Sequence, residues 1–116
     1  MGRRYVPQRG DVVWLSFQPQ AGHEQRGRRP ALVVSPAAYN GKVGLALFCP
    51  ITSQVKGYPF EVVIPAGLAV QGVVLSDQVK SLDWRARRAA LLCRVPKQTV
   101  RDVLGKLGTL LAEDAS

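Results

Sequence analysis

The chain has 116 residues, 47% of them hydrophobic and 21% charged, which predicts one domain over residues 1–116 with a modest core and argues against disorder. Sixteen Lys and Arg against eight Asp and Glu give a net charge of +8. That imbalance favours a polyanionic partner, nucleic acid first and an acidic protein or anionic membrane next, with a generally basic solvated surface as the plain alternative.

Residues 1–10 read as a basic N-terminal arm ending at Gly10. The arm lacks the apolar core of a secretory leader, so none is expected. Asp11–Phe17 has the aromatic and β-branched content of a strand. A polar loop follows over 18–28, holding Pro19, Gly22 and Gly27, and Arg29–Ser35 is the second strand. Pro36–Gly44, with Asn40-Gly41, is predicted as a turn region holding one helical turn. Leu45–Ile51 is a third strand in which Pro50 marks an edge, a bulge or the strand's end. Tyr58–Ile64 is a fourth, interrupted at Pro59. Val73–Ser81 is strand material around the polar pair Asp77-Gln78, Leu82–Arg88 a charged turn, and Ala89–Val95 the last strand.

Over 97–111 the apolar residues Val100, Val103, Leu104, Leu107, Leu110 and Leu111 fall at helical spacing, and Pro96 suits a helix start. Many short strands followed by one helix predict a mainly β (α+β) fold: a small SH3-like β-barrel of bent antiparallel strands with a C-terminal helix. No apolar run approaches the ~20 residues of a membrane span. Cys49 and Cys93 are isolated in apolar runs and read as reduced, packed thiols of a cytoplasmic protein.

Polar clusters interrupt the strands at Glu24–Arg29, Thr52–Lys56, Asp77–Lys80 and Asp83–Arg88, and loops at one end of a small barrel converge. Arg29, at a strand start, is better fixed than Arg26 or Arg28. Its planar fork suits phosphate because it donates two parallel charge-assisted hydrogen bonds, although a solvated strand-end charge fits the same position. Thr52, Ser53 and Gln54 offer hydroxyl and amide groups, or simply cap a turn. Glu24, Asp77 and Asp83 have no metal-ligand pattern, and with one histidine and no Cys-x-x-Cys neither a two-metal site nor a structural zinc is expected. His23 is the only histidine, so acid–base work by two histidines cannot operate within one chain. Trp14, Phe17, Tyr39, Phe48, Tyr58, Phe60 and Trp84 are core candidates, while Trp84 beside Arg85 and Arg87 is also placed to stack a base.

Five motifs stand in order along the chain. They are Gly10-Asp11-Val12-Val13-Trp14, Gly22-His23-Glu24-Gln25-Arg26-Gly27-Arg28-Arg29-Pro30-Ala31 and Pro50-Ile51-Thr52-Ser53-Gln54. Lys56-Gly57-Tyr58-Pro59-Phe60-Glu61-Val62 and Asp77-Gln78-Val79-Lys80-Ser81-Leu82-Asp83-Trp84-Arg85-Ala86-Arg87 complete the set. Together they resemble the MazF/PemK family, ribosome-independent mRNA interferases of toxin–antitoxin modules. The resemblance implies an SH3-like barrel acting as a homodimer, cleaving single-stranded RNA at short sequence motifs without a metal or other cofactor. It also implies an antitoxin partner that blocks the RNA groove with an acidic segment. By position, Arg29 and Thr52 match the catalytic pair, and Glu24 lies in the loop flanking the RNA site. Gln25, Arg26, Arg28, Ser53, Gln54, Lys56, Asp77, Gln78, Lys80 and Arg87 match RNA-binding positions. Ser53 stands where a second threonine is common, and Arg26-Gly27-Arg28-Arg29 is more basic than the family pattern.

The implied chemistry is attack of a 2′-hydroxyl on its adjacent phosphorus, leaving a 2′,3′-cyclic phosphate and a 5′-hydroxyl. Arg29 and the Thr52 hydroxyl would stabilise charge on the non-bridging oxygens, with Glu24 or a positioned water as base. Two other readings stay open at this level. One is a non-catalytic nucleic-acid-binding module, the other a gyrase poison on the same fold.

Overall fold

The apolar runs around Val12, Leu32 and Phe48 pair side by side at the centre of a bent antiparallel sheet. The structure, a computed structural model, describes residues 4–16 and 27–114. Its elements in order are β1 (Asp11–Ser16), β2 (Arg28–Val33), α1 (Ala37–Val43), β3 (Leu45–Thr52) and β4 (Glu61–Val63). After them come β5 (Val73–Leu75), β6 (Lys80–Asp83), β7 (Ala90–Arg94) and α2 (Lys97–Leu111). The ladder runs β4-β5-β3-β2-β1-β7, with β6 also paired to β3. Among the described residues no pairing joins β4 to β7, so the sheet curls without closing its ladder. The mainly β architecture with a C-terminal helix is as expected.

The central strands are buried on both faces, which is why they read as near-continuous apolar runs. Val12, Leu32, Val34, Cys49 and Ile51 face one side and pack with Val62, Val74 and, from α2, Val103. Val13, Leu15, Ala31, Val33, Ala46 and Phe48 face the other and pack with Trp84. Each large apolar side chain so buried contributes about 1.5–3 kcal/mol. No described helix is long and apolar enough to cross a membrane.

Pro50 lies within β3, and its missing N–H is accommodated by a change of partner. On one flank of β3, the pairing with β6 covers Leu45 to Phe48 and the pairing with β5 covers Ile51 and Thr52. Pro50 therefore falls in the gap between two partner strands, where no ladder hydrogen bond is lost. It is also where β3 passes from one part of the sheet to the other.

Three segments depart from the sequence reading. Residues 37–43 form a full helix rather than a turn region, closed by Gly44 at φ 83. Strand β4 starts only at Glu61, because Pro59 sits in a turn closed by the Glu61 N–H donating to the Tyr58 carbonyl (3.1 Å). The strand material read over 73–81 divides into two strands separated by a turn at Ser76-Asp77, and the second continues to Asp83, into the segment read as a charged turn; both pair with β3.

Buried polar groups lock the end of the sheet where β1 begins and β2 ends. Asn40 is fully buried. Its Nδ2 donates to the carbonyls of Pro7 (2.7 Å) and Ser35 (3.0 Å), and its Oδ1 accepts the Ser35 hydroxyl (2.6 Å). Its own carbonyl accepts Trp84 Nε1–H (3.0 Å). Asp11, 1% exposed, accepts the Tyr5 hydroxyl (2.5 Å) and the Gln8 N–H (3.0 Å) and pairs with Arg94 Nε (3.0 Å). Burial first, and then the bond to Asp11, push the Tyr5 phenol far above its usual range. Residues 4–10 are thereby tied across this end.

Candidate active site

At the opposite end the alternation of β2 and β3 carries two polar side chains off the edge of the core. Ala31, Val33, Phe48 and Ala46 share one face, so Arg29 and Thr52 continue that face by the two-residue period of a strand. The pairing of Ala31 with Pro50 and Val33 with Phe48, continued two residues further, sets Arg29 opposite Thr52. Both line an open cavity of about 380 Å³, together with Arg28, Pro30, Ile51, Ser53, Gln54 and Gln71. Arg29 is exposed and Thr52 half-buried.

Thr52 is fixed from two sides. Its Oγ1 accepts the Gln54 N–H (3.1 Å), which sets the hydroxyl's rotamer and leaves its proton to donate elsewhere. Its backbone is held against Val73 of β5. Gly72 makes that approach possible: a Cβ there would stand 2.1 Å from the Thr52 carbonyl oxygen, and its φ is 115. Only glycine suits both conditions.

A second lobe of about 130 Å³ shares Thr52 and Gln54 with the first and adds Lys56, Tyr58, Glu61, Leu75 and Gln78. Glu61 Oε2 accepts the Lys56 N–H (2.9 Å) and Oε1 the Gly57 N–H (2.9 Å), so one carboxylate clamps the loop after β3. The Tyr58 hydroxyl donates to Asp77 Oδ1 (2.7 Å). That bond is the main cause raising the Tyr58 phenol above its usual value.

Thus Arg28, Arg29, Thr52, Ser53 and Gln54 meet in one cavity, and Lys56 and Gln78 join through its second lobe. Asp77 is exposed and reaches the lobe through Tyr58. Lys80 lies further along the same face, in a small apolar cleft with Ala31, Phe48, Pro50 and Leu82. Arg87 sits in the turn after β6. Its carbonyl accepts the Ser16 N–H (2.8 Å) and its Nη1 donates to the Ser16 carbonyl (3.4 Å), beside Arg28 across the ladder. Glu24, Gln25, Arg26 and His23 lie outside the described residues.

Two expectations about aromatic residues change. Trp84 is 4% exposed with the Arg85 guanidinium 4.9 Å from its ring centroid, so its faces are taken and it is not open to stack a base. Tyr58, read as core, lines the groove instead, and Tyr39 is exposed. Gln71, Tyr58 and Glu61 are groove residues that the site reading missed. Only Tyr58 and Glu61 stood inside a quoted motif, and Gln71 carried no local signal. Among the described residues no three His, Cys, Asp or Glu side chains gather to hold a metal ion.

The described cavity lining holds two guanidinium groups, two hydroxyls and amides, and no carboxylate. Such a set binds and stabilises an anion. A curled antiparallel sheet with a basic, donor-rich groove at one end defines a polyanion-binding β-domain. Residues 8–111 match the family model of the PemK-like, MazF-like toxin of type II toxin–antitoxin systems, and the chain belongs to that family. It is 48% identical over 111 residues to the endoribonuclease toxin MazF of Escherichia coli K12, covering 96% of this chain and 99% of that one. A crystal structure of MazE–MazF from Deinococcus radiodurans superposes with a TM-score of 0.86 at 55% identity, covering 96% of this chain and all of the matched one. MazF alone from the same organism gives 0.83 at 63% identity, over 93% of this chain and 98% of that one.

Proposed function

We propose that the protein is an endoribonuclease toxin that cuts single-stranded mRNA at short sequence motifs and so inhibits translation and growth. The observation that carries this reading is that Arg29 and Thr52 line one open cavity rich in donors and free of carboxylates among its described residues. The 2′-hydroxyl of the substrate attacks the adjacent phosphorus, and the 5′-oxygen leaves. Charge accumulates on the non-bridging oxygens, where the Arg29 fork and the Thr52 hydroxyl proton stabilise it. Preorganised donors of this kind are each worth ~100- to 1000-fold in rate. Guanidinium groups stay protonated in proteins, so Arg29 acts as an electrostatic stabiliser, and Glu24 or a positioned water serves as the base. Arg28, Ser53, Gln54, Lys56, Gln78, Lys80 and Arg87, with Gln25 and Arg26, hold the flanking nucleotides, and Asp77 acts through Tyr58.

The toxin works in the cytoplasm as a homodimer and is neutralised by a cognate antitoxin with an acidic C-terminal segment. Support for the assembly comes from exposed apolar residues on β4 and the end of α2, Val63 (71% exposed), Leu110 (53%) and Leu111 (76%). The net charge of +8 favours an acidic inhibitor as well as RNA.

The test is to incubate the protein with a long RNA in EDTA, then map the cut sites and end groups. Cleavage that persists, leaves 2′,3′-cyclic phosphate and 5′-hydroxyl ends, and spares the all-deoxy analogue is expected. Loss of cleavage in EDTA, or cutting of the all-deoxy strand, sinks the mechanism.

A further inference from the structure

A larger basic depression, about 460 Å³, opens near the far end of β3 from Thr52 and is lined by Arg4, Tyr5, Trp84, Arg85, Arg88 and Ala89. Among the described residues three arginines line it and no acid does. Its floor is rigid: Trp84 is anchored through Nε1 on the Asn40 carbonyl (3.0 Å), and Tyr5 through its hydroxyl on Asp11. The turn that carries Arg85 and Arg88 is also fixed. Asp83 Oδ1 accepts the N–H groups of Arg85 (3.0 Å) and Ala86 (2.9 Å), and Arg88 holds a left-handed φ of 56. A guanidinium laid on an aromatic ring keeps its in-plane N–H groups directed outward, so less side-chain freedom is lost when it meets an anion.

This depression lies on the same sheet face as the candidate active site. Trp84 packs with Ala31, Val33, Ala46 and Phe48, the row that Arg29 and Thr52 extend. Between the two lies the small cleft of Ala31, Phe48, Pro50, Lys80 and Leu82. Strand β6 flanks β3 over the part of the path nearer the depression, with Lys80 opposite Phe48, Leu82 opposite Ala46 and Asp83 opposite Leu45, and β5 flanks Ile51 and Thr52. At about 3.3 Å per residue, roughly 23 Å of strand separates Thr52 from Leu45. The path is therefore too long for one nucleotide and suits a strand that continues past the cut.

We propose that the Arg4–Arg85–Arg88 depression is a second phosphate-binding subsite, which holds the backbone of the same single-stranded RNA several nucleotides from the scissile bond. This rests on reading the Arg29–Thr52 cavity as the RNA site, and it extends that reading along one face. Phosphate fits because a guanidinium fork meets it in two hydrogen bonds. A base does not, because the Trp84 ring is covered by Arg85. An acidic peptide would need apolar anchorage, and the same cover denies it the indole.

The test compares the full-length protein with its R4A/R85A and R4K/R85K variants. Two substrates are cut: an oligonucleotide carrying only the cleavage motif, and the same motif with long flanks on both sides. The wild type is expected to show a higher kcat/KM on the flanked substrate, and R4A/R85A to lose most of that ratio. Binding of a flanked 2′-O-methyl RNA, which cannot be cut, reads the charge directly. At a slope of about −0.7 per phosphate contact on a single strand, the salt dependence should become shallower by about 1.4 in R4A/R85A and stay near wild type in R4K/R85K. An unchanged length ratio and an unchanged salt slope overturn the proposal. So does a variant that keeps its RNA slope but loses affinity for an acidic peptide. If the double variant does not fold, Arg4→Ala alone carries the same comparison with half the change in slope. Failure of the wild type to cut the motif-only substrate counts against the active-site reading, whereas a cut motif with no length ratio counts against this subsite alone.

Discussion

Two polar clusters sit at opposite ends of β1, β2 and β3, and they use similar chemistry in opposite ways. At the closed end, Asn40 and Ser35 turn inward and spend their donors and acceptors on one another, on Pro7 and on Trp84, while Asp11 accepts from Tyr5, Gln8 and Arg94. At the open end, Arg28, Arg29, Thr52 and Ser53 turn into a solvent-filled cavity. Buried polar groups stabilise a fold only when they are paired. Groups that are to meet a substrate must instead keep capacity that the protein does not consume. The three strands hold both clusters rigidly apart, so the open end is positioned by the closed one without sharing its bonds.

The sharpest way to break the contrast is at Arg29 and Thr52. Arg29→Ala should lower kcat by ~100- to 1000-fold with little change in melting temperature. Thr52→Val should fall in the same range, and Thr52→Ser should recover most of the rate because the hydroxyl returns. Single-turnover cleavage beside thermal unfolding reads both quantities, and a large loss of stability would mean that these residues belong to the core after all. Gly72→Ala lies between the two classes. Its Cβ would press on the Thr52 carbonyl at 2.1 Å, so both rate and stability should drop, the latter by about 1–3 kcal/mol for the strained backbone.

Asn40→Ala is the converse experiment. It leaves the Ser35 hydroxyl and the Pro7 and Ser35 carbonyls without their Asn40 partner in a buried site, each such group costing about 1–3 kcal/mol. The midpoint of urea unfolding should shift well down, while the rate per folded molecule stays near wild type. A variant that loses rate but keeps its midpoint would show that the two ends are coupled through the strands.

The same contrast explains what could be read from the chain alone. Strands β1 to β3 were legible because their apolar runs are dense and bounded by Gly and Pro. That Arg29 and Thr52 line one cavity was legible because each stands where such a run meets polar sequence, and the family motifs tied them together. Gln71-Gly72 was not, because the demand for glycine there comes from the Thr52 backbone, twenty positions earlier, and leaves no local mark. Nor was the Asn40 hub, since an Asn-Gly pair signals a turn by itself and only the packing of Pro7, Ser35 and Trp84 around it favours a helix. The division of the 73–81 stretch between β5 and β6 was hidden for a related reason: both strands pair with β3, and Asp77-Gln78 resembles many polar pairs inside a strand.

The smallest expected effect concerns the two free thiols, and it tests how rigid the sheet is beneath the groove. Cys49 lies on β3 one residue before Pro50, buried against the core, with its Sγ 3.9 Å from the Ser76 carbonyl, whereas Cys93 is half-buried on β7. Burial first, and then the negative charge of Asp77, push the Cys49 thiol from its ordinary 9.0 up to about 12. A thiol raised in this way keeps its full contribution below about pH 9, where both states keep the proton. Its contribution is lost as pH rises from about 9 towards 12, because the unfolded chain ionises first. Alkaline unfolding should therefore steepen over that window, and Cys49→Val should flatten it. In neutral buffer a thiol reagent should modify Cys93 first, and Cys49 only at the rate of global unfolding. If Cys49 reacts as readily as Cys93 without denaturant, β3 opens locally at Pro50, and the groove is then held less firmly than the closed end.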